Sequence, residues 1–357
     1  MTSLHGFGLG IVSENAQGAV LDTFYPQPVA HVSDALSSVL SGVSGRLDAA
    51  ELSQLSKALE AAGDSAGAGL ARQLVAAEGK VVATSLANNA PPSSVEEAYL
   101  KLHLISHRRV KPHETDLTGL FGLLPNVAWT DQGPVDLEEL PQRQLDARLK
   151  GSVLEVSSVD KFPKMTNYVV PAGVRIAHTA RVRLGAYLGE GTTVMHEGFI
   201  NFNAGTAGPG MIEGRISAGV WVGEGSDLGG GCSTMGTLSG GGDIVISVGK
   251  ECLIGANAGL GIPLGDRCTI EAGLFVTAGT KVSVLDEGGD TIETVSARTL
   301  AGRPDLLFRR HSSTGAVQCL TNKSAIELNE MLHANNCCTR AYARADPRFD
   351  RLRLGHP

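Results

Sequence analysis

Two histidines, His178 and His196, stand 18 residues apart, and imidazole side chains at such a spacing could hold a metal ion or act as a base. A zinc site requires three or four protein ligands. The other eight histidines of the chain all lie outside residues 170–284. The count of histidines therefore does not favour a zinc site in this region.

A carboxylate, Glu213, lies in a segment bounded by two glycine-rich stretches, NAGTAGPGM (203–211) and SGGGD (239–243). Loops that interrupt a repetitive fold tend to be on its binding face. A non-catalytic repeat protein would not need two such stretches around a carboxylate. The alternative is a structural glutamate that forms an ion pair with nearby Arg215.

A six-residue repeat of aliphatic residues would position these side chains. The repeat comprises Val170, Ile176, Val182, Leu188, Val194 and Ile200, then Val222 and Leu228, then Val248, Ile254 and Leu260, and finally Leu264, Ile270, Val276 and Val282. Neither a helix (period 3.6) nor an ordinary strand (period 2) produces this spacing. It is typical of a parallel β-helix with three hexapeptides per turn, in which residues 18 apart stack about 4.8 Å from each other. His178 and His196 should therefore lie on one edge.

The rest of the chain lacks this repeat. We predict an N-terminal α/β domain (1–167) with helices at 46–60 and 94–109, both amphipathic, and a strand at 18–24. The β-helix should occupy 168–284, with interruptions at the two glycine-rich stretches. A small C-terminal domain and tail (285–357) should contain strands at TIETVSA and AVQCL and a helix at SAIELNEMLHA.

Composition excludes several classes of protein. The 357 residues carry a net charge of −7, which argues against a nucleic-acid or anionic-membrane surface. No secretory signal or membrane-spanning stretch is recognisable, and the six cysteines show no zinc spacing. Cys232, Cys252 and Cys268 within the repeats should be buried. We expect a reduced, cytoplasmic protein.

Longer motifs point to one family. Five segments are informative: 195–242, 246–282, KLHLISHR (101–108), VDKFPKM (159–165) and LLFRR (306–310). They closely resemble tetrahydrodipicolinate N-succinyltransferases of the actinobacterial and pseudomonad form. These enzymes are hexapeptide acyltransferases. The resemblance implies a left-handed parallel β-helix and a homotrimer with active sites between neighbouring subunits. It also implies succinyl transfer from succinyl-CoA to the amino group of a ring-opened tetrahydrodipicolinate, a small dicarboxylate, toward diaminopimelate and lysine.

The resemblance assigns catalysis to Glu213 and Gly236. Glu213 would attack the thioester carbonyl to form a mixed anhydride, or would act as general base on the incoming ammonium. The Gly236 carbonyl would orient the substrate amine, although a glycine needed only for a tight corner is an equal alternative.

Coenzyme A requires a groove lined by small residues and cations. The resemblance places there Arg215, Gly230, Ser233, Ala256, Glu271, Ala272 and Gly279, closed over by Leu306, Leu307, Phe308 and Arg309. Where a relative has a coenzyme-binding lysine this chain has Ser296, and Arg298 is a possible substitute. Candidates for the acceptor carboxylates are Lys164, Arg175, Arg181 and Arg183, each of which could instead belong to a solvated charged surface.

The resemblance also implies a magnesium site at the trimer axis, bound through Glu197. The aspartate that accompanies this glutamate in the family is replaced here by Ala180. Two rival functions remain open. One is a hexapeptide acetyltransferase with His196 as base, and the other is a non-catalytic scaffold or metal-dependent hydratase.

Overall fold

The computed structural model describes residues 4–236 and 245–321. An antiparallel N-terminal sheet has the strand order β2-β1-β5-β4, with β3 also pairing with β1. Its strands are β1 (Gly6–Glu14), β2 (Val20–Phe24), β3 (Val29–Ala30), β4 (Gly45–Arg46) and β5 (Lys80–Leu86). The helices of this region are α1 (Asp34–Leu40), α2 (Ala49–Ala61), α3 (Ser65–Leu74) and α4 (Val95–Ser106). The predicted strand at 18–24 is confirmed as β2.

Helix α2 begins three residues later than predicted because Asp48 caps it. The Asp48 carboxylate accepts a hydrogen bond from Glu51 N, and the Glu51 carboxylate accepts one from Asp48 N, each of 2.8 Å. This reciprocal capping satisfies two backbone donors that a helix start leaves unpaired. Residues Gly45 and Arg46 instead form the short strand β4.

Helix α4 confirms the predicted start but not the predicted amphipathic character. Ser94 caps the helix by accepting from Glu97 N at 3.2 Å. All nine residues from 98 to 106 are buried, because the helix packs against the N-terminal sheet on one side and the first coil of the β-helix on the other. Its buried cation, Lys101, donates to the carbonyls of Ala90 (2.6 Å) and Asp116 (2.8 Å), which satisfy the ammonium without a carboxylate.

A small antiparallel sheet of order β7-β6-β8 follows. It contains β6 (Val127–Thr130), β7 (Gly133–Asp136) and β8 (Val156–Asp160), and the helices nearby are α5 (Leu120–Leu123) and α6 (Leu140–Leu149). A short 3-10 helix at Met165–Asn167 leads into the periodic region, and another at Thr179–Arg181 lies within its first coil.

The periodic region is a three-sided parallel β-helix, and its coils contribute short strands to the three faces in turn. Face 1 contains β9 (Arg175–Ile176), β11 (Thr192–Val194), β14 (Gly210–Ile212), β17 (Asp227–Leu228), β20 (Leu253–Ile254) and β22 (Thr269–Ile270). Face 2 contains β12 (Phe199–Ile200), β15 (Arg215–Ile216), β18 (Ser233–Thr234), β21 (Gly259–Gly261) and β23 (Phe275–Thr277). Face 3 contains β10 (Ala186–Leu188), β13 (Ala204–Thr206), β16 (Trp221–Val222) and β19 (Ser247–Val248). The repeat's aliphatic side chains from Val182 onward are buried in the interior, as predicted. Val170, which precedes the first strand β9, is 63% exposed, so the prediction is wrong at that position.

The predicted interruption at 203–211 is wrong. Ala204 pairs with Ala186 and Ile212 with Val194, so β13 and β14 continue the 18-residue register through this stretch. The sequence conceals the repeat because Thr206 takes an aliphatic position. Its hydroxyl is buried and shares a 2.6 Å hydrogen bond with the hydroxyl of Thr192, which compensates the loss of an apolar side chain.

The repeat instead changes register just beyond that stretch. Ile216 pairs with Ile200, although only four residues separate it from Ile212. Leu264, four residues after Leu260, likewise begins the next strand position of face 3, where its N–H donates to Ser247 O at 2.9 Å. The second predicted interruption, 239–243, lies outside the described residues.

Four strands close the end of the β-helix. These are β24 (Lys281–Leu285), β25 (Thr291–Ser296), β26 (Leu306–Arg310) and β27 (Val317–Thr321). A 3-10 helix at Ala297–Leu300 lies between β25 and β26. β26 pairs in parallel with β22 and thereby extends face 1. The predicted strands at 291–297 and 316–320 are confirmed, whereas the predicted helix at 324–334 and the tail lie outside the described part of the chain. No helix in the described residues is both long and apolar enough to cross a membrane.

Candidate active site

Glu213 occupies the shortened corner between faces 1 and 2. Its N–H donates to Leu228 O at 2.8 Å, and its carbonyl accepts from Gly231 N at 3.4 Å. The side chain is partly exposed, and its Oε2 atom lies 3.4 Å from the place that a Cβ would occupy on Gly230. Glu213 therefore does not point into the interior of the β-helix. Among the described residues it also forms no ion pair with Arg215, so the structural alternative is not supported.

The corners between faces 1 and 2 stack into one edge, which we call the Glu213 edge. It consists of residues 213–214, 229–231, 255–257 and 271–273, and it ends at 309–310. Successive corners are joined by hydrogen bonds of 2.8 to 2.9 Å, from Gly229 N to Ile254 O, Gly255 N to Ile270 O and Glu271 N to Phe308 O. Four steps of about 4.8 Å give the edge a length of roughly 19 Å from Glu213 to Arg309.

Five predicted coenzyme residues lie on this edge: Gly230, Ala256, Glu271, Ala272 and Arg309. The corners are narrow enough to demand small residues. A Cβ on Gly229 would stand 2.8 Å from Ala256 N, and one on Gly255 would stand 2.4 Å from Ala272 N. The edge therefore exposes mainly backbone, which can approach a long ligand closely.

The remaining predicted residues are distributed across face 2 and its far side. Arg215 and Ser233 are on strands β15 and β18 of face 2 itself. Gly236 and Gly279 follow strands of face 2 and lie at its opposite edge, toward face 3. The structure therefore does not bring Gly236 to Glu213 within one chain; face 2 separates them.

The C-terminal residues predicted to close over the coenzyme differ in how far their side chains are buried. Leu306 and Leu307 are partly buried, and Arg309 is exposed with its Nε donating to Gln318 Oε1 at 3.1 Å. The Phe308 side chain is fully buried in the core, so only its backbone is available to a ligand. Ser296 Oγ and Arg298 N both donate at 3.2 Å to the carbonyl of Ala278, which places them beside Gly279.

The predicted magnesium ligand is already engaged. The Glu197 carboxylate is 3.1 Å from Arg181 Nη2 and is 75% exposed. Residues 4–236 and 245–321 contain no group of three histidine, cysteine or acidic side chains arranged to hold a metal ion. A carboxylate paired with a guanidinium beside Ala180 is a poor magnesium ligand, so the donor set of one chain does not fit the ion.

His178 and His196 occupy equivalent positions in the two preceding corners between faces 1 and 2, which continue the Glu213 edge beyond Glu213, as the spacing predicts. Ile176 pairs with Val194, and each histidine is the second residue after its pair member. Both side chains are exposed. The edge therefore carries imidazoles at one end and the Glu213 carboxylate in the next coil.

Arg183 is committed to a structural role. Its guanidinium is 2.7 Å from Asp160 Oδ2 and donates to Asn201 Oδ1 at 3.1 Å, and it lies over the ring of Phe162. Arg175 is exposed and forms no salt bridge with the described residues, so it is the freer candidate for a carboxylate.

Sequence reasoning missed the residue beneath the Glu213 corner. Cys232 was predicted only to be buried, and it is fully buried, as are Cys252 and Cys268. Burial raises the pKa of the Cys232 thiol to about 12; the positive charge of Arg215 opposes this shift and the negative charge of Glu213 adds to it. The sequence offered one indication of this packing: Gly214 has no side chain, which leaves room for the Cys232 sulfur.

Known proteins match both the fold and the site region. A family model described as the middle region of tetrahydrodipicolinate N-succinyltransferase matches residues 124–164, and one for the hexapeptide repeat of succinyl-transferase matches 245–278. The 2,3,4,5-tetrahydropyridine-2,6-dicarboxylate N-succinyltransferase of Pseudomonas putida is 64% identical over 342 residues, or 94% of this chain and 99% of the relative. This chain belongs to the tetrahydrodipicolinate N-succinyltransferase family. The resemblance drawn from the motifs is thus confirmed.

Other family members extend the match. The Vibrio cholerae enzyme of the same name is 58% identical over 337 residues, covering 92% of this chain and 98% of the relative. A crystal structure from Campylobacter jejuni, described as a 2,3,4,5-tetrahydropyridine-2-carboxylate N-succinyltransferase, has a TM-score of 0.82 at 31% identity and covers 91% of this chain and 94% of that one. These similarities support the β-helix acyltransferase fold for this chain.

Proposed function

We propose that this protein transfers a succinyl group from succinyl-CoA to the amino group of ring-opened L-2,3,4,5-tetrahydrodipicolinate. The products are N-succinyl-2-amino-6-oxopimelate and CoA, in the route to diaminopimelate and lysine. Family membership is the principal support. The main structural observation in its favour is the partly exposed Glu213 side chain, which lies at the beginning of an edge of small residues.

Glu213 has two possible roles in this reaction. As nucleophile it attacks the thioester carbonyl, forms a mixed anhydride and releases the CoA thiolate; the substrate amine then attacks the anhydride and restores the carboxylate. As general base it removes a proton from the substrate ammonium, and the free amine attacks the thioester directly. Its partly exposed position is compatible with either role.

The coenzyme runs along the Glu213 edge in this proposal. Its thioester lies at Glu213, its amide-rich arm meets the exposed backbone of the 229–231, 255–257 and 271–273 corners, and Arg309 is near its phosphates. The edge's length of roughly 19 Å suits an extended arm of this kind.

The acceptor site is completed by a second protomer in this proposal. Glu213 and Gly236 lie at opposite edges of face 2, so a neighbouring chain packed on that face would place its Gly236 near this chain's Glu213. We therefore propose a left-handed β-helix homotrimer. Residues 1–167 form its N-terminal domain, 168–284 its β-helix and 285–357 its C-terminal region. Arg175 is the proposed partner for an acceptor carboxylate.

Thiol release by the purified protein tests the activity. Succinyl-CoA with 2-aminopimelate as acceptor analogue should release CoA much faster than succinyl-CoA alone or acetyl-CoA with the analogue. Preference for acetyl-CoA would instead favour the rival acetyltransferase with His196 as base. If neither acyl-CoA reacts or raises the melting temperature, the protein is not an acyltransferase.

The Glu213→Gln variant tests the site. We expect a large loss of kcat, whereas the matched Glu224→Gln variant, exposed on a different edge, should retain wild-type turnover. A thiol burst equal to the enzyme concentration without acceptor indicates the anhydride, and its absence indicates general-base catalysis. Near-normal turnover by Glu213→Gln removes the assignment of this residue.

A further inference from the structure

The corner that carries Glu213 is shorter than its neighbours along the same edge. Four residues separate the inward-pointing Ile212 and Ile216, whereas six separate Val194 from Ile200 and Leu228 from Thr234. With two residues fewer, the backbone of 213–214 has little freedom of its own, and its direction depends on what packs beneath it.

Cys232 packs beneath this corner. A Cβ built on Gly214 would stand 2.2 Å from Cys232 Sγ and 2.8 Å from Cys232 O, so the sulfur fills the space that a side chain at 214 would take. The Cys232 carbonyl also accepts the N–H of Arg215 at 2.8 Å. Cys232 thus contacts both residues that follow Glu213, and it is fully buried.

The other side of the corner is fixed by backbone. Glu213 N donates to Leu228 O, and Gly231 N donates to Glu213 O. The volume beneath Gly214, by contrast, is filled by the Cys232 side chain. A smaller group there would let the corner sink toward the interior, and a larger one would lift it, which in both cases redirects the Glu213 carboxylate.

We propose that Cys232 is a positioning residue for Glu213, and that the size of its side chain sets where the carboxylate stands relative to the thioester. This inference rests on the proposed function. Cys232 is not a nucleophile in this role, because its buried thiol stays protonated at neutral pH and acts by filling space.

The test compares Cys232→Ala with Cys252→Ala. Cys252 is equally buried in the same β-helix, and its thiol donates to Gly265 O at 3.1 Å, away from the Glu213 edge. Cys252→Ala should lose at least as much thermal stability as Cys232→Ala, because it creates a cavity of similar size and also removes this hydrogen bond. Only Cys232→Ala should lower kcat, by about 10- to 100-fold, with the KM for succinyl-CoA nearly unchanged, because a displacement of about 1 Å can have that effect.

Two further readouts separate positioning from a general loss of structure. The pH profile of kcat should shift in Cys232→Ala but not in Cys252→Ala, since only the former alters the surroundings of the carboxylate. Cys232→Ser, which nearly restores the volume, should recover most of the lost kcat. If Cys232→Ala does not fold, the kcat and pH profile of Cys232→Ser and Cys232→Val are compared with those of Cys252→Ala instead.

The possible failures are distinguishable. Inactive wild-type protein, or an active Glu213→Gln variant, counts against the proposed function and overturns this inference with it. If the wild type is active, Glu213→Gln is inactive, and Cys232→Ala and Cys252→Ala have equal kcat, only the positioning role is overturned.

Discussion

The Oε2 atom of Glu213 lies 3.4 Å from the position that a Cβ would occupy on Gly230, in the next coil along the same edge. The carboxylate thus rests against a glycine that leaves it just enough room. This contact links the one carboxylate assigned to catalysis with the first of the residues assigned to the coenzyme.

A larger residue at position 230 should therefore displace the carboxylate. We expect Gly230→Val to lower kcat about 10- to 100-fold, because its methyl groups occupy the space beside Oε2. Gly230→Ala, whose single carbon stands at ordinary contact distance, should have a much smaller effect. Steady-state kinetics and melting temperatures measure both; equal activity of the two variants and the wild type would contradict the contact.

The buried hydroxyl pair of Thr192 and Thr206 should be interdependent. Replacing Thr206 alone by valine leaves the Thr192 hydroxyl without its 2.6 Å partner and should reduce the free energy of unfolding by about 1–3 kcal/mol. The double Thr192→Val/Thr206→Val variant should recover much of that loss. Chemical denaturation of the two single variants and the double variant provides the test, and strict additivity of the three values would refute the pairing.

Stability should fall in mild acid because of His103. Its Nε2 accepts from Tyr25 N at 3.2 Å and its Nδ1 lies 2.8 Å from Tyr99 O, and burial lowers the pKa of this imidazole to about 3. The unfolded chain binds the proton below about pH 6.5 and the folded chain does not. The stabilisation is therefore complete above pH 6.5 and is lost progressively as the pH falls toward 3.

Burial of Asp22 acts in the opposite sense. Its carboxyl pKa is raised, so its protonated form stabilises the fold at low pH, and this contribution is lost as the pH rises through the raised value. The melting temperature should therefore be measured from pH 4 to 7 in wild-type protein and in Asp22→Asn. The melting temperature should fall more steeply with decreasing pH in the variant than in the wild type. A melting temperature that does not fall in either protein would contradict the assignment to His103.

The C-terminal strand β26 should depend on a bidentate ion pair. Arg267 Nε and Nη2 donate to the two carboxylate oxygens of Asp305 at 2.6 and 2.9 Å, just before the strand that carries Arg309. Arg267→Lys keeps the charge but loses the two-point contact. We expect a raised KM for succinyl-CoA with little change in kcat, and isothermal titration with CoA should show the same loss of affinity. An unchanged affinity would separate this pair from coenzyme binding.

The sequence predicted the β-helix well because its signal is local: an inward aliphatic residue every six positions has one structural explanation. The same logic placed His178 and His196 on one edge. It failed at Thr206, where a buried hydroxyl bond replaced the expected aliphatic contact, and at helix α4, whose polar residues Lys101 and His103 find partners that are distant in sequence.

The motifs determined the family, and their resemblance to it proposed Glu213 as the catalytic carboxylate, because motifs of this kind consist of consecutive residues. Only the tertiary structure decided how that carboxylate is held. The shortened corner, the sulfur of Cys232 under Gly214 and the separation of Glu213 from Gly236 by face 2 arise from contacts between coils. Such contacts join residues about one coil or more apart in the sequence, and their geometry depends on how each coil packs on the next.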